Sequence, residues 1–228
     1  RLKDDDSSIQ LKVENVISRL IDEDIKVIGS GRTDAGVHAM SQFVNFHTDV
    51  DLPKSFIEEL NKYLPEDVRV ISFKKVKEEF HARFSAIDKT YMYLIDNSKY
   101  GNPLMRNLSY HVPEKLNIGK MREISRGFIG KHDFTTFTNA KSKKKSMERE
   151  IFDIEIISRD DSIIEINIRA EGFLHNMARR MVTVLIEATK EDKDSKYIDK
   201  LIKSKDRSAL NYQVPSKGLY LKKVTYKD

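Results

Sequence analysis

Two alternating stretches, "EIFDIEIIS" at 150–158 and "SIIEINIRA" at 162–170, are separated only by a short polar turn containing Asp160 and Asp161. Apolar and polar side chains at period two require half-buried strands, and so short a connection forces the two to run antiparallel. A hairpin of this kind must bury one face, and its neighbours supply the cover. Ile118, Met121, Ile124 and Phe128 recur at helical spacing up to Gly130, and helical patterns follow at 174–189 and 196–204 before a last strand, "GLYLKKVTY" at 218–226. The first part of the chain shows the same order. Ile9, Val13, Val16, Ile17 and Leu20 mark a helix over 8–21 behind Ser7 and Ser8. Residues 25–29 and 40–47 read as short strands, and Pro53 opens a helix carrying Phe56, Ile57, Leu60 and Leu64. "VRVISFKKV" at 68–76 and "KTYMYLI" at 89–95 read as strands again. Each half is thus helix, strand, strand, helix, strand, and a strand upstream of Arg1 would complete a β-α-β-β-α-β unit in the first. The expected class is α+β, with helices on one face of an antiparallel sheet, and with halves at 1–100 and 101–228. No sequence repeat accompanies this order.

A chain of 228 residues can bury a real core, and its 34% charged residues with a net charge of +5 give a solvated surface mildly attractive to polyanions. With no cysteine, disulfides, iron–sulfur clusters, thiol catalysis and zinc ribbons are excluded. No apolar run reaches the ~18 residues of a membrane span, and no signal-like start is visible, so a soluble, cytoplasmic protein is expected. The chain opens at Arg1 rather than at a methionine.

The segment "IGSGRTDAGVHAMSQFVNF" at 28–46 sets a single acid, Asp34, among glycines. Conformational need in a tight loop between strands accounts for Gly29, Gly31 and Gly36 without any function. The spacing is neither G-x-G-x-x-G nor a Walker loop, and no Lys-Ser/Thr pair follows. His38, His47 and His81 lack metal-ligand spacing, so no metal is expected.

"GRTDAGVHA" at 31–39 resembles, residue for residue, the active-site motif of the tRNA pseudouridine synthase A family. Further blocks resemble the family in its order: "LNKYLPEDVRV" (60–70), "FHARFSAIDKTYMYLI" (80–95), "GKHDFTTF" (130–137), "GFLHNMARRMV" (172–182), "KDRSA" (205–209) and "KGLYLKKVTY" (217–226). The resemblance implies two ferredoxin-like halves whose antiparallel sheets join around a basic cleft. It also implies isomerisation of uridine to pseudouridine at positions 38, 39 and 40 of the tRNA anticodon arm, and a homodimer in which one tRNA touches both subunits. The reaction breaks the bond from uracil nitrogen to ribose, rotates the base and remakes the link through carbon 5. With no net redox change and no added group it needs no cofactor, only a positioned, ionised carboxylate.

The resemblance gives that role to Asp34, and three mechanisms stay open: attack on the anomeric carbon, addition to the base, or removal of a ribose proton. Arg179, in "NMARR", matches the arginine that pairs with the aspartate and favours its ionised form, although an arginine on a helix face is ordinarily solvated. Tyr91, in "KTYMYLI", matches an active-site tyrosine that stacks on a flipped uracil or moves the carbon 5 proton. Tyr93 shares its strand face, and spacing alone cannot separate the two. Leu219 matches an apolar residue beneath the base, with core packing an equally natural reading. Arg32, Arg83, Lys89, Arg180 and Arg207 lie in family-like blocks, as phosphate or ribose contacts or as surface charge. For Lys141 to Lys145, solvated loop and RNA contact are evenly matched.

Three positions depart from the family pattern: Ala178 stands for a valine, Thr183 for a glycine usual in the long helix, and "ALNYQVPS" at 209–216 for a more proline-rich run. From the sequence they are expected to bear on substrate fit rather than on chemistry. Two other readings are a catalytically inactive RNA-binding relative and an RRM-like RNA-binding module. Retention of Asp34, Tyr91 and Arg179 together argues against the first, and the lack of an aromatic RNP-type strand motif argues against the second.

Overall fold

The computed structural model describes residues 8–138, 146–159 and 162–227. The Lys141–Lys145 run and the Asp160–Asp161 turn lie outside them. The chain divides into two compact units, one of Arg1–Arg32 with Gln42–Ala86, the other of Thr33–Ser41 with Ile87–Asp228.

In the smaller unit, helix α1 (Ile9–Ile21) buries Val13 and Ile17 one turn apart and stops at Asp22, whose φ of 56° is left-handed. Helix α2 (Phe56–Tyr63) buries Phe56 and Leu60. With Ile25, Val27 and Leu64 these side chains make one apolar cluster. Among the described residues the sheet here is the antiparallel pair β1 (Ile28–Gly29) and β3 (Val44–Asn45). The strand expected over 25–29 is therefore shorter than its apolar run, because helix side chains take the backbone bonds that a ladder would have used. Glu14 accepts from the Val27 N–H at 3.0 Å, Gln10 donates to the Val27 carbonyl at 3.1 Å, and Ser18 accepts from the Ile25 N–H at 2.9 Å. The strand expected at 68–76 is absent for a related reason. The Asn61 amide brackets Val70, donating to its carbonyl and accepting from its N–H, both at 2.8 Å, while Ile71 is 81% exposed. Alternation gave Val68 and Val70 an apolar neighbour without giving the segment a partner strand.

The larger unit carries, among the described residues, a seven-stranded sheet in the order β2-β9-β4-β8-β7-β6, with β5 beside β4. The strands are β2 (His38–Ala39), β4 (Ala86–Asp96), β5 (Tyr110–His111), β6 (Gly130–Asp133), β7 (Glu148–Ser158), β8 (Ile163–Ala170) and β9 (Leu219–Tyr226). β7 and β8 form the antiparallel pair that the alternation predicts, with a bulge between Ile151 and Asp153. The sheet is mixed rather than wholly antiparallel, since β2 runs parallel to β9 and β5 parallel to β4. The architecture remains α+β. Of the strand expected at 40–47 only 44–45 pairs as one, in the smaller unit; His38 and Ala39 pair instead with Tyr220 and Leu221.

Helices α3 (Ile118–Ser125), α4 (Met177–Lys190) and α5 (Ser195–Ser204) enclose the core with the alternate face of the sheet. Tyr93, Ile95, Ile164, Ile166 and Ile168 point into it against Met181 and Leu185. The helix expected over 174–189 begins only at Met177, because Asn176 adopts a left-handed φ of 64°. That break turns His175 outward, exposed. Among the described residues no helix is long and apolar enough to cross a membrane.

Candidate active site

Asp34 begins a four-residue turn whose carbonyl accepts from the Val37 N–H at 3.1 Å. Gly36, third in the turn, has φ +80°, a conformation that side chains disfavour and a type II turn requires. A Cβ there would lie 2.8 Å from the Ser216 hydroxyl oxygen, so the chain 213–218 passes directly against the turn. Downstream, His38 stacks on Tyr220 with centroids 4.7 Å apart, and the Met40 N–H donates to the Leu221 carbonyl at 2.9 Å. Glycine, turn and parallel pairing together point the Asp34 carboxylate at the start of α4.

Two nitrogen-bearing side chains meet it there. Arg179 Nη1 lies 3.4 Å from Asp34 Oδ2, and His175 Nε2 lies 3.2 Å from Oδ1. The arginine side chain is 13% exposed and the aspartate 38%. Arg179 is therefore held by the protein while the carboxylate keeps an open side. The Arg179 Nε–H donates to the Val214 carbonyl at 2.8 Å, and Nη1 also reaches Asn176 Oδ1 at 3.4 Å.

Tyr91 and Tyr93, inseparable by spacing, divide cleanly here. Tyr93 is fully buried and donates its hydroxyl to the Pro215 carbonyl at 2.8 Å, a packing role. Tyr91 is half-buried and edge-on to Phe173, with centroids 4.9 Å apart. Burial first, then the negative charge of Asp34, push its hydroxyl up to about 12. At neutral pH it holds its proton.

A family model described as tRNA pseudouridine synthase matches residues 2–85 and 124–227. The chain belongs to the tRNA pseudouridine synthase family. It is 42% identical over 227 residues to a Bacillus cereus protein named tRNA pseudouridine synthase A 2, covering 99% of this chain and 92% of that one. A Bacillus sp. (strain KSM-64) protein named tRNA pseudouridine synthase A is 42% identical with the same coverage. A Clostridium tetani protein named tRNA pseudouridine synthase A 2 is 40% identical over 220 residues, 96% of this chain and 88% of that one. The family makes this chain an isomerase that forms pseudouridine.

For a synthase of this family, the larger unit brings together Asp34, Arg179 and Tyr91, with His175 added. Spacing gave no reason to single out His175. The available signal was its place in the "GFLHNMARR" block, four residues before Arg179. Leu219 is buried at the start of β9 and belongs to the core cluster. Arg180, next to Arg179, turns the other way and donates to the Thr136 and Thr138 carbonyls, both at 3.1 Å. Burial and then the charge of Arg207 lower its pKa. Arg207 is half-buried in a 3-10 turn, and Lys89 is half-buried on β4 opposite Ala170. Arg32 and Arg83 are exposed and belong to the smaller unit, where the Arg83 guanidinium lies 5.6 Å from the Phe84 ring centre.

Proposed function

We propose that this chain isomerises uridines 38, 39 and 40 in the anticodon arm of tRNA, with Asp34 as the catalytic carboxylate. The observation that carries the reading is the half-open Asp34 side chain with Arg179 on one oxygen and His175 on the other. Such a carboxylate is aimed by a contact on each oxygen, yet retains an open side for a ribose or base. Arg179 fixes its orientation. Tyr91, protonated, stacks against the extruded uracil and donates a hydrogen bond to the reacting base. Arg32, Arg83, Lys89 and Arg207 belong to the RNA-facing charge, and the chain acts as a homodimer in which one tRNA touches both subunits.

The reading is tested with Asp34→Asn, nearly isosteric but neutral and far less nucleophilic. Single-turnover pseudouridine formation should fall by about three orders of magnitude or more while tRNA binds as before at fixed salt. Substantial turnover with intact binding would remove Asp34 from the chemistry. Unchanged pseudouridine formation on tRNA bearing cytidine at 38, 39 and 40 would remove the anticodon arm as the target.

A further inference from the structure

Thr183 lies one turn beyond Arg179 on α4 and is 2% exposed. Its hydroxyl is used twice, donating to the Arg179 carbonyl at 2.9 Å and accepting from the Val214 N–H at 2.9 Å. The Val214 carbonyl in turn accepts from Arg179 Nε at 2.8 Å. Both backbone polar groups of one residue are thus captured by side chains four apart on the same helix face. Val214 lies outside helix and strand, 1% exposed, with no ladder to hold it. Its neighbours touch the rest of the site: the Pro215 carbonyl accepts from Tyr93, and Ser216 faces Gly36 in the Asp34 turn.

We propose that Thr183 is a positioning residue for the isomerisation: its hydroxyl fixes Val214, so that Val214 holds the Arg179 guanidinium with Nη1 toward Asp34. The inference rests on the role of Arg179 given above and assigns that role a support. A guanidinium tethered at Nε keeps only rotation about its stem, and the tether decides which edge the carboxylate meets. Without the hydroxyl, the Val214 N–H would be buried with no acceptor, and residues 213–216 would shift to satisfy it. The shift would reach Arg179 directly through the carbonyl and Gly36 through Ser216. Displacements of this size at a reacting group cost up to about a hundredfold in rate. Thr183 touches no reacting atom, so tRNA affinity should not register its loss.

The experiment compares Thr183→Val, which keeps shape and loses the hydroxyl, with Thr183→Ser, which keeps the hydroxyl. Single-turnover rates, tRNA dissociation constants at fixed salt, and hydrogen exchange at Arg179 Nε–H by nitrogen-15 NMR are measured on each. Thr183→Val should slow the chemistry roughly ten- to a hundredfold, leave the dissociation constant unchanged and expose Arg179 Nε–H to rapid exchange. Thr183→Ser should restore both the rate and the protection. A parental rate in Thr183→Val overturns the inference, as does an equal loss in folded Thr183→Ser, which would make Thr183 a packing residue. If Thr183→Val does not fold, the serine variant decides alone: a folded protein with fast Nε–H exchange would overturn the inference. Arg179→Gln separates the two failures. A parental rate there sinks the assigned role of Arg179, whereas a large loss beside an active Thr183→Val sinks only the role of Thr183.

Discussion

Two carboxylates of the larger unit, Asp34 and Glu165, both sit between two nitrogen-bearing side chains, yet their surroundings differ in kind. Glu165, on β8, has a side chain 6% exposed and is saturated: Arg159 approaches at 2.8 Å, Lys222 at 2.8 Å, and the Asn167 amide donates at 2.9 Å. Burial pushes its pKa up, but the hydrogen bonds from Lys222, Asn167 and Arg159 prevail and the net shift is downward. Asp34 has one longer contact on each oxygen and over a third of its side chain open. The carboxylate with the more crowded electrostatics is the structural one, because every lone pair is already committed. A reacting group needs uncommitted lone pairs on an accessible side, and of these two carboxylates Asp34 is the one that keeps them, which is what its proposed role requires.

The largest test of this contrast exchanges the two effects. Asp34→Asn should remove turnover by about three orders of magnitude or more with little change in thermal midpoint. Glu165→Gln should leave single-turnover rates near parental and lower stability by about 1–3 kcal/mol, since buried partners lose a charged acceptor. Equal rate losses in both would erase the distinction.

Gly36→Ala comes next. The residue has φ +80° and a Cβ would meet Ser216 at 2.8 Å, so strain of about 1–3 kcal/mol is expected. The Asp34 turn would move with it. Both the melting temperature and the rate should fall, and a rate unchanged beside a lowered melting temperature would show that the turn tolerates displacement.

The pH dependence of stability sharpens the Glu165 side. Its folded-state carboxyl lies below the ordinary value of 4.5. The stability it contributes is therefore present above that value and lost as pH falls through the lowered folded value. Denaturant midpoints of Glu165→Gln and parent should converge on acidification, and a constant gap down to pH 2 would contradict the downward shift.

Tyr91→Phe carries the smallest effect. Stacking survives and tRNA affinity should hold, with the rate reduced by about tenfold from the lost donor. Because the hydroxyl stays protonated until about 12, the parent's rate should show no upturn between neutral pH and pH 9 from this group. An upturn that vanishes in Tyr91→Phe would assign it the opposite role, as a base.

What was legible in the sequence follows the range of the interactions involved. The hairpin at 150–170 could be read because period-two alternation and a short turn are both local, and the helices of the larger unit announce their apolar faces at i and i+4. Strand 68–76 was misread because its alternation reflects a few side chains resting on a small core, while Asn61 satisfies the backbone at Val70. The parallel contact of His38 with Tyr220 joins distant parts of the chain and leaves no local periodicity. Asp34, Arg179 and Tyr91 came from the family-like blocks rather than from any rule of spacing. His175 lay in one of those blocks unremarked, since a lone histidine beside a helix start carries no pattern until the left-handed Asn176 turns it out.

That pairing of β2 with β9 also sets the order in which the enzyme can become competent during synthesis. β9 is translated after every other element described here, and until it exists the segment after Asp34 has neither Tyr220 to stack on nor the Leu221 carbonyl to bond. Ser216, which limits the turn at Gly36, is made only shortly before. A nascent chain can therefore assemble the hairpin and its covering helices well before the carboxylate is anchored, because long-range pairing forms only once both partners are present. Of the parts of the larger unit among the described residues, the Asp34 turn is thus one whose anchoring has to wait until β9 is made.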